Sequence, residues 1–411
     1  MKNKAALLLL MVMAFSLLGA DLLYVVNSQS RTLSRIDTAS DQVQNTFSIL
    51  GNVPNRVVVG ENYLYSVNSG DNTIQKINKL SGSTVANHLV AVGSNPWDAI
   101  LHEGYLYITG LFTSRVYKMN ASNGQVLASV QVGTAPEAMC VVGDKLYVTN
   151  AGNYAQNYAG SSVSVIDLPS FSVINTLVVG LNPQYLCFHE GFLHVSCTGN
   201  WADTGGKIMI FDTQDDSLIQ TIELGGTPGN IWIDANDLAW VADSGGNQMY
   251  RYNALSYEIL NGAGNSLPFG ASELVGTASM IAILAPIWGS NGKVTLLNPD
   301  LSFIKEYSVG MMPTDLKLET ISSPVEDDLV TAARISIYPN PLPAGENLKL
   351  KSEGNLRGTV QIFNLKGQLL EEKYLDGEAL SLDTSKLSSA CYLYRISTDR
   401  GKQSGKFMIL K

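Results

Sequence analysis

Short apolar and aromatic segments alternate with polar turns along most of the chain. Residues 63–68 (YLYSVN) and 145–150 (KLYVTN) are examples, and Gly, Asn, Asp and Glu fill the turns that separate such segments. Alternation over five or six residues between turn signals is typical of short β-strands joined by hairpins. The pattern holds from about residue 22 onwards and predicts an all-β protein.

A Gly-x-x-Pro tetrad divides these strands into repeats. A degenerate copy at 276–279, with Ser279 in place of the proline, fills the one long gap, so that there are seven copies. Successive glycines lie 34 to 51 residues apart, which is the spacing of four-stranded propeller blades. The complete tetrads begin at Gly51, Gly93, Gly133, Gly180, Gly225 and Gly310.

Incomplete repeats at the two ends of the array predict a closed ring. The first repeat, at about 22–50, has only second, third and fourth strands, whereas the last has only a first strand after Pro313. Because each blade is apolar on both faces, it needs a neighbour on either side, and an open stack would expose two apolar faces. We therefore predict a seven-bladed β-propeller over residues 21–319, closed by pairing of 314–318 with 22–27.

A polar segment separates this array from a second strand-rich region. Residues 320–334 are rich in Ser, Pro, Glu and Asp and are predicted to form a linker. Short alternating strands resume at 335–338 (ISIY) and recur at 360–363 (VQIF) and 392–396 (YLYRI). Their spacing over residues 335–411 predicts a small Ig-like β-sandwich.

The first twenty residues have the pattern of a secretory signal peptide. Lys2 and Lys4 precede an apolar run at 5–15, and the small residues Gly19 and Ala20 follow. We predict cleavage after Ala20, so that the chain is exported and the mature chain has no membrane span. Loss of the two lysines would change the formal charge from −9 to −11, which argues against nucleic acid as a partner.

Sequence motifs for metal and nucleophile chemistry are missing. The chain has no C-x-x-C-H, H-E-x-x-H or G-x-S-x-G motif. Cys140 and Cys187 occupy equivalent strand positions of successive repeats, as small buried side chains would, and His102 and His189 occupy equivalent turns. We therefore predict no catalytic residue, no metal site and no cofactor.

Polar and aromatic residues directly follow each tetrad. In a propeller the chain passes here from the outermost strand of one blade to the innermost strand of the next, so these residues should surround the mouth of the central channel. They are Asn55 and Arg56, Trp97 and Asp98, Glu137 and Ala138, Gln184 and Tyr185, Gly229 and Asn230, Met280 and Ile281, and Thr314 and Asp315.

Two long loops, at about 151–161 and 198–206, are expected to extend over the same face of the ring. Unequal loops on a regular scaffold are where function is commonly located. Our hypothesis is a ligand site built from these loops and the mouth, because aromatic faces beside amides and carboxylates suit a glycan or a peptide. The alternative is that the loop residues pack only against one another and against the ring. The hypothetical site comprises Arg56, Trp97, Asp98, Glu137, Tyr154, Tyr158, Tyr185, Trp201, Asp203, Asn230 and Asp315.

The repeat sequence resembles a known family. Residues 145–150 (KLYVTN), followed by SVID at 164–167 and VVGLNP at 178–183, resemble the YVTN repeats of surface-layer-type β-propellers. The resemblance extends over about residues 22–319 and implies a propeller, but it does not identify a ligand.

The C-terminal region resembles the sorting (Por) domain of cargo exported by the type IX secretion system of Bacteroidota. Residues 337–341 (IYPNP) open it, 364–368 (NLKGQ) lie in its middle and 406–411 (KFMILK) form a basic, apolar end, while Cys391 stands where the family usually has glycine. The resemblance implies the type IX secretion machinery as a partner, and then attachment to the cell surface or release. The sorting-motif residues are Tyr338, Pro339, Asn340, Pro341 and Gly367.

We therefore expect an exported, non-catalytic propeller that serves as a binding or scaffold protein at the cell surface or outside the cell, with a glycan, peptide or protein ligand. The alternative is a propeller enzyme of the lyase or lactonase kind, with Asp98, Glu137 and Asp315 lining its site. A bound divalent ion at the mouth would favour the enzyme. A third hypothesis is a structural surface-layer component, which would self-associate without a ligand.

Overall fold

The computed structural model describes two compact units, one within residues 18–321 and the other within 322–411. Residues 1–19 of the predicted signal peptide, residues 322–334 of the predicted linker and Gly367 of the sorting motif lie outside the described residues. The described residues are 20–245, 248–287, 289–321, 335–343, 346–364, 369–398 and 401–410.

The first unit is a seven-bladed β-propeller, as predicted, and each blade is an antiparallel sheet of four strands. Blade 1 contains β1 (Ala20–Asn27), β2 (Thr32–Asp37) and β3 (Gln42–Ile49), and blade 2 contains β4 (Pro54–Val59), β5 (Tyr63–Asn68), β6 (Thr73–Asn78) and β7 (Thr84–Leu89). Blade 3 contains β8 (Pro96–His102), β9 (Tyr105–Gly110), β10 (Arg115–Asn120) and β11 (Val126–Gln131). Blade 4 contains β12 (Pro136–Val142), β13 (Lys145–Asn150), β14 (Ser162–Asp167) and β15 (Ser172–Val178).

The remaining blades follow the same order, from the innermost strand outwards. Blades 5 to 7 contain β16 (Pro183–His189), β17 (Phe192–Cys197), β18 (Lys207–Asp212) and β19 (Leu218–Ile222); β20 (Pro228–Ile233), β21 (Leu238–Asp243), β22 (Met249–Asn253) and β23 (Ile259–Asn261); and β24 (Glu273–Gly276), β25 (Ile281–Ala285), β26 (Asn291–Leu297) and β27 (Phe303–Met311). Single-turn 3-10 helices at Ser69–Asp71 and Tyr154–Gln156 lie between second and third strands.

The innermost strand of blade 1 comes from the other end of the unit. This strand, β28 (Pro313–Ile321), pairs antiparallel with β1, from Leu22 with Glu319 to Val26 with Asp315. The pairing confirms the predicted closure of the ring by its two ends.

Apolar side chains fill the spaces between neighbouring blades. Where blades 7 and 1 meet, Leu23 and Val25 of β1 pack with Leu284 of β25, and Leu316 of β28 completes the same buried cluster. Successive side chains of a strand face opposite sides of its sheet, so every blade contributes to two such layers. The core is therefore a series of layers between blades, and only a closed ring covers all of them.

Replacing Leu316 by alanine should lower the free energy of unfolding of the propeller by about 3 kcal/mol, because it leaves a cavity in the layer that closes the ring. Urea denaturation followed by tryptophan fluorescence measures this change, since all five tryptophans precede residue 320. Leu80→Ala is the control, because Leu80 is 86% exposed. Equal midpoints for the two variants would contradict this packing.

Blade 7 differs from the sequence prediction. Gly276 ends the innermost strand β24, and Ile281 begins the second strand β25. Met280 and Ile281 are buried between blades and do not lie at the mouth. The prediction for this copy is wrong because Ala271, two residues before Glu273, stands where the other copies have the proline. The predicted degenerate tetrad at 276–279 lies instead at the end of β24 and in the turn that leads to β25.

The second unit is a small β-sandwich of the Ig-like type, as predicted. Its long strand β31 pairs with β29, β32 and β33, and buried side chains that include Leu350, Ile362 and Phe407 fill its interior. The strands are β29 (Ile335–Tyr338), β30 (Leu342–Pro343), β31 (Leu348–Phe363), β32 (Leu369–Leu382), β33 (Cys391–Thr398) and β34 (Gly401–Leu410).

Candidate functional site

The Gly-x-x-Pro loops set the position of the channel mouth. In several blades the glycine packs directly on the asparagine that ends the second strand, as Gly51 does on Asn68. A Cβ atom on Gly133 would lie 2.6 Å from Cγ of Asn150, which is closer than real Cβ contacts allow. The tight contact requires glycine and fixes each loop against its own blade.

A β-bulge follows the proline of several loops. The register between first and second strands shifts directly after Pro54 and again after Pro183. A bulge re-aims side chains that would otherwise alternate across the sheet. Both residues after the proline can then face the mouth, and Asn55 and Arg56 of blade 2 line the same cavity as Tyr185 of blade 5.

An ion-pair network with Arg56 at its centre occupies the mouth. The Arg56 guanidinium contacts the Glu273 carboxylate and lies 3.3 Å from Oδ1 of Asp315. Its Nη2 donates to the Tyr185 hydroxyl at 2.9 Å, and that hydroxyl donates to Oε1 of Glu273 at 2.7 Å. These residues come from blades 2, 7, 1 and 5, so the network depends on closure of the ring.

The two cations at the mouth stay charged. Burial would lower the pKa of Arg56, but Glu273 and its other anionic neighbours hold that pKa well above its ordinary value. Nζ of Lys317 lies 3.1 Å from Oδ1 of Asp315. Burial would lower the pKa of Lys317 as well, and Asp315 more than offsets this, so the pKa is raised. Glu273 and Asp315 are thus each paired with a charged partner.

Two further carboxyls, those of Asp98 and Glu137, lie within electrostatic range of Arg56. Burial raises the pKa of Asp98 above its ordinary value. Burial also raises the pKa of Glu137, to about 8, with Arg56 opposing the shift and Asp98 adding to it. Glu137 is 9% exposed, and a pKa of about 8 favours its protonated form at neutral pH.

A cavity of about 290 Å³ opens at the mouth. Aromatic rings and hydrogen-bonding side chains from blades 1, 2, 3, 5, 6 and 7 surround it. The lining consists of the indoles of Trp97 and Trp201, the phenol of Tyr185, the charged groups of Arg56 and Glu273, the amides of Asn55 and Gln184, the hydroxyls of Ser244, Ser272 and Thr314, and the apolar Pro286, Met312 and Pro313.

The long loops of blades 4 and 5 contact each other. Nδ2 of Asn200 donates to Oδ1 of Asn157 at 3.0 Å and to Oδ1 of Asp203 at 2.7 Å. The rings of Tyr154 and Tyr158 meet edge-on with centroids 5.6 Å apart. Asp203 thus stabilises its own loop, and the two loops form one surface beside the cavity.

The structure brings part of the hypothetical site together. Arg56, Trp97, Tyr185 and Trp201 line the cavity, whereas Tyr154, Tyr158 and Asp203 belong to the adjoining loop surface. The other predicted residues are Asp98 and Glu137, which are coupled to Arg56, and Asn230 and Asp315, which bond to neighbouring blades.

The bonds of Asn230 and Asp315 hold the innermost strands in place. Oδ1 of Asn230 accepts the Leu274 amide of the next blade at 3.2 Å. Oδ2 of Asp315 accepts the Val57 amide of blade 2 at 2.8 Å. Both residues therefore fix the positions of neighbouring innermost strands.

Sequence reasoning missed Glu273 and Lys317. Glu273 pairs with Leu284 of the second strand in blade 7, just as Arg56 pairs with Val67 in blade 2. Aligning the repeats by their second strands, and not by the proline, would therefore have identified Glu273 as the equivalent of Arg56. Lys317 lies two residues after Asp315 on the same strand and could have been found from the alternation of side chains.

Groups elsewhere in the described part of the chain offer no metal site. No cluster of three or more His, Cys, Asp or Glu side chains there could hold a metal ion. Nδ1 of His194 lies 2.7 Å from the Tyr252 hydroxyl, and burial lowers the pKa of His194 to about 3. Cys140 and Cys187 are free thiols, and burial raises the pKa of each.

No described helix has the length and apolarity to cross a membrane.

Comparison with known families settles the nature of the C-terminal unit. Residues 336–410 match the family described as "Secretion system C-terminal sorting domain". The second unit is such a sorting domain. Its presence implies an interaction with the type IX secretion machinery, and delivery of the propeller by secretion or attachment to the cell surface.

Within the sorting domain, the opening motif is tied to the last strand. Oδ1 of Asn340 accepts a hydrogen bond from the Met408 amide at 3.1 Å. Leu342, just after the motif, pairs with Ile409 in the parallel contact between β30 and β34. The two ends of the domain are therefore joined side by side.

Solved structures share the propeller fold. Hydrazine synthase of Kuenenia stuttgartiensis matches with a TM-score of 0.57 and 12% identity, over 68% of this chain and 93% of that chain. Apo AztD from Citrobacter koseri matches with a TM-score of 0.51 and 12% identity, over 73% and 98%. At this identity the likeness shows the fold alone. No curated protein sequence matches the chain.

Proposed function

We propose that the chain is an exported carbohydrate-binding protein whose propeller binds a glycan at the channel mouth. The observation behind this proposal is the cavity of about 290 Å³ in which two indoles, Trp97 and Trp201, meet amide and hydroxyl side chains. Indole faces suit the apolar faces of sugar rings, and amides and hydroxyls suit their hydroxyl groups. The sorting domain and the predicted signal peptide support a ligand outside the cell.

The shape of the cavity favours a sugar over a peptide. Its volume of about 290 Å³ lies just below the roughly 300–1,000 Å³ typical of small-molecule sites. Extended peptides usually bind along a sheet edge or in a long groove. A compact space enclosed by the innermost strands of a ring is better matched by one or two sugar rings.

The loop surface beside the cavity supports contact with a longer glycan. Trp201 remains 47% exposed and Tyr154 78% exposed. Trp201 lies against Tyr158, which in turn packs on Tyr154, so the aromatic surface continues from the cavity onto the loop of blade 4. Exposed aromatic surface of this kind is typical of binding sites.

Replacing Trp201 or Trp97 by alanine should weaken glycan binding about tenfold each, because each change removes one stacking face. The chain expressed from Asp21 is first screened on a glycan array, and the dissociation constant for the best ligand is then measured by titration calorimetry. Phe112→Ala is the matched control, since Phe112 is also an exposed aromatic residue, at 72%, but does not line the cavity.

Two results would contradict the proposal. One is the absence of binding across the array. The other is a glycan whose affinity is the same for wild type, Trp201→Ala and Trp97→Ala. Self-association without any ligand would instead support the surface-layer hypothesis.

A second candidate function is a carboxylate-based hydrolase or lyase. The pKa of about 8 at Glu137 favours it, because a carboxyl that keeps its proton near neutral pH can act as a general acid. Incubation of the bound glycan with the protein, followed by mass spectrometry, tests this activity. Cleavage that Glu137→Gln abolishes would establish the enzyme, and an unchanged glycan would leave binding as the function.

A further inference from the structure

Carboxyl groups outnumber cationic groups at the channel mouth. Arg56 and Lys317 are the cations, and their ion pairs in the described part of the chain are with Glu273 and Asp315. Asp98 and Glu137 lie side by side on the innermost strands of blades 3 and 4, because the Thr109 hydroxyl is 3.3 Å from the backbone oxygen of Asp98 and 2.9 Å from that of Glu137. Asp98 and Glu137 therefore make no close ion pair with a described cation, although Arg56 interacts with both over a longer distance.

Of these two carboxyls, that of Glu137 has fewer hydrogen-bond partners. It is 9% exposed, and its carboxyl has no hydrogen bond or ion pair with any described residue. Asp98 accepts the amide of the adjacent Ala99 at 2.8 Å. A carboxyl in a largely buried residue is costly without a protein partner, so a group of this kind that solvent can still reach is a candidate for contact with a ligand.

We infer that the ligand carries a protonated amine and that this amine binds at Glu137 and Asp98. The inference rests on the proposed glycan binding and specifies its substrate class as an amino sugar. An ammonium group has three N–H donors and a positive charge, so one group can satisfy both carboxyls. A sugar hydroxyl offers one donor and no charge.

A metal ion is the other cation that acidic groups attract. Divalent ions need several ligands, such as the six to eight oxygens of calcium sites. The described residues contain no group of three or more side chains arranged for that purpose. The arrangement at Asp98 and Glu137 therefore fits an organic cation better than a metal ion.

Binding of the amine should release a proton from the protein. Glu137 holds a proton near neutral pH, because burial raises its pKa to about 8. An ammonium that pairs with this carboxyl favours its ionised form, so about one proton should leave the protein when the complex forms. Calorimetry in two buffers that differ in ionisation enthalpy measures this proton release.

The test uses the whole chain expressed from Asp21 and two tetrasaccharides of the same backbone, one of glucosamine and one of N-acetylglucosamine. At pH 6.5, wild type should bind the glucosamine tetrasaccharide at least about tenfold more tightly than the acetylated one. Glu137→Gln should lose about tenfold for the amine form only and should release no proton. Glu61→Gln, in an exposed turn, is the matched control.

The outcomes separate this inference from the proposed function. Equal affinities for the two tetrasaccharides, or a Glu137→Gln variant with unchanged preference, would overturn the amino-sugar inference and leave glycan binding standing. Failure of both tetrasaccharides while neutral glycans bind on the array would do the same. Failure of every glycan would overturn both. Calcium binding that Glu137→Gln abolishes would replace the amine with a metal site.

Discussion

Replacing Arg56 by alanine should lower the free energy of unfolding of the propeller by about 4 kcal/mol. Arg56 is the cation between Glu273 and Asp315, and both carboxylates are buried. Removal of one partner from a buried ion pair leaves the other charge uncompensated, which costs far more than the net strength of the pair. The loss should therefore exceed that from an ordinary surface substitution.

Urea denaturation followed by tryptophan fluorescence measures the loss. Arg31→Ala is the control, because Arg31 is exposed, and it should change stability by less than about 0.5 kcal/mol. Adding Glu273→Gln to Arg56→Ala should recover part of the loss, since it removes one of the unpaired charges. An Arg56→Ala midpoint equal to that of Arg31→Ala would show that the network does not form.

Replacing Glu137 by glutamine should stabilise the propeller at alkaline pH. The pKa of Glu137 rises from 4.5 to about 8 on folding, because burial disfavours the charged form. Below pH 4.5 the carboxyl is protonated in both states. As the pH rises towards 8, the unfolded chain releases this proton while the folded chain keeps it, so the free energy of unfolding falls. Between pH 5 and pH 9 the loss amounts to about 4 kcal/mol.

The measurement compares wild type with Glu137→Gln at pH 5 and at pH 9. The variant lacks this titration, so its advantage over wild type should grow by about 4 kcal/mol between the two pH values. Arg56 and Asp98 also affect the Glu137 carboxyl, but they are present in both proteins. Glu61→Gln should show no such growth. An advantage that is the same at both pH values would mean that the pKa of Glu137 is not raised.

Most of the fold could be predicted because it repeats. Each blade must bury two apolar faces, so the spacing of the tetrads determined the blades, and the incomplete end repeats determined the closure between β1 and β28. The exception was blade 7. The innermost strand of blade 7 lacks the proline that marks the other copies. Only the pairing of Glu273 with Leu284 shows where this strand lies in the sequence.

The sequence predicted which part of the ring forms the site, but not which side chains contact one another there. The rule that residues after the proline face the mouth located Arg56 and Tyr185, since it depends on backbone geometry shared by the blades. Which side chains meet across the channel depends on positions in space. Arg56 and Glu273 belong to different blades far apart in the chain, and no local pattern connects them. The absence of a hydrogen-bond or ion-pair partner for the Glu137 carboxyl among the described residues likewise became visible only in the folded structure.

The central claim is that the closed ring creates one glycan site at its channel mouth. A crystal structure of the chain expressed from Asp21 with its tightest-binding oligosaccharide tests this claim most directly. We predict a sugar ring against Trp97 and Trp201, with its amine within hydrogen-bond distance of the Glu137 carboxyl. A glycan bound elsewhere on the propeller, with this cavity unoccupied, would contradict the claim.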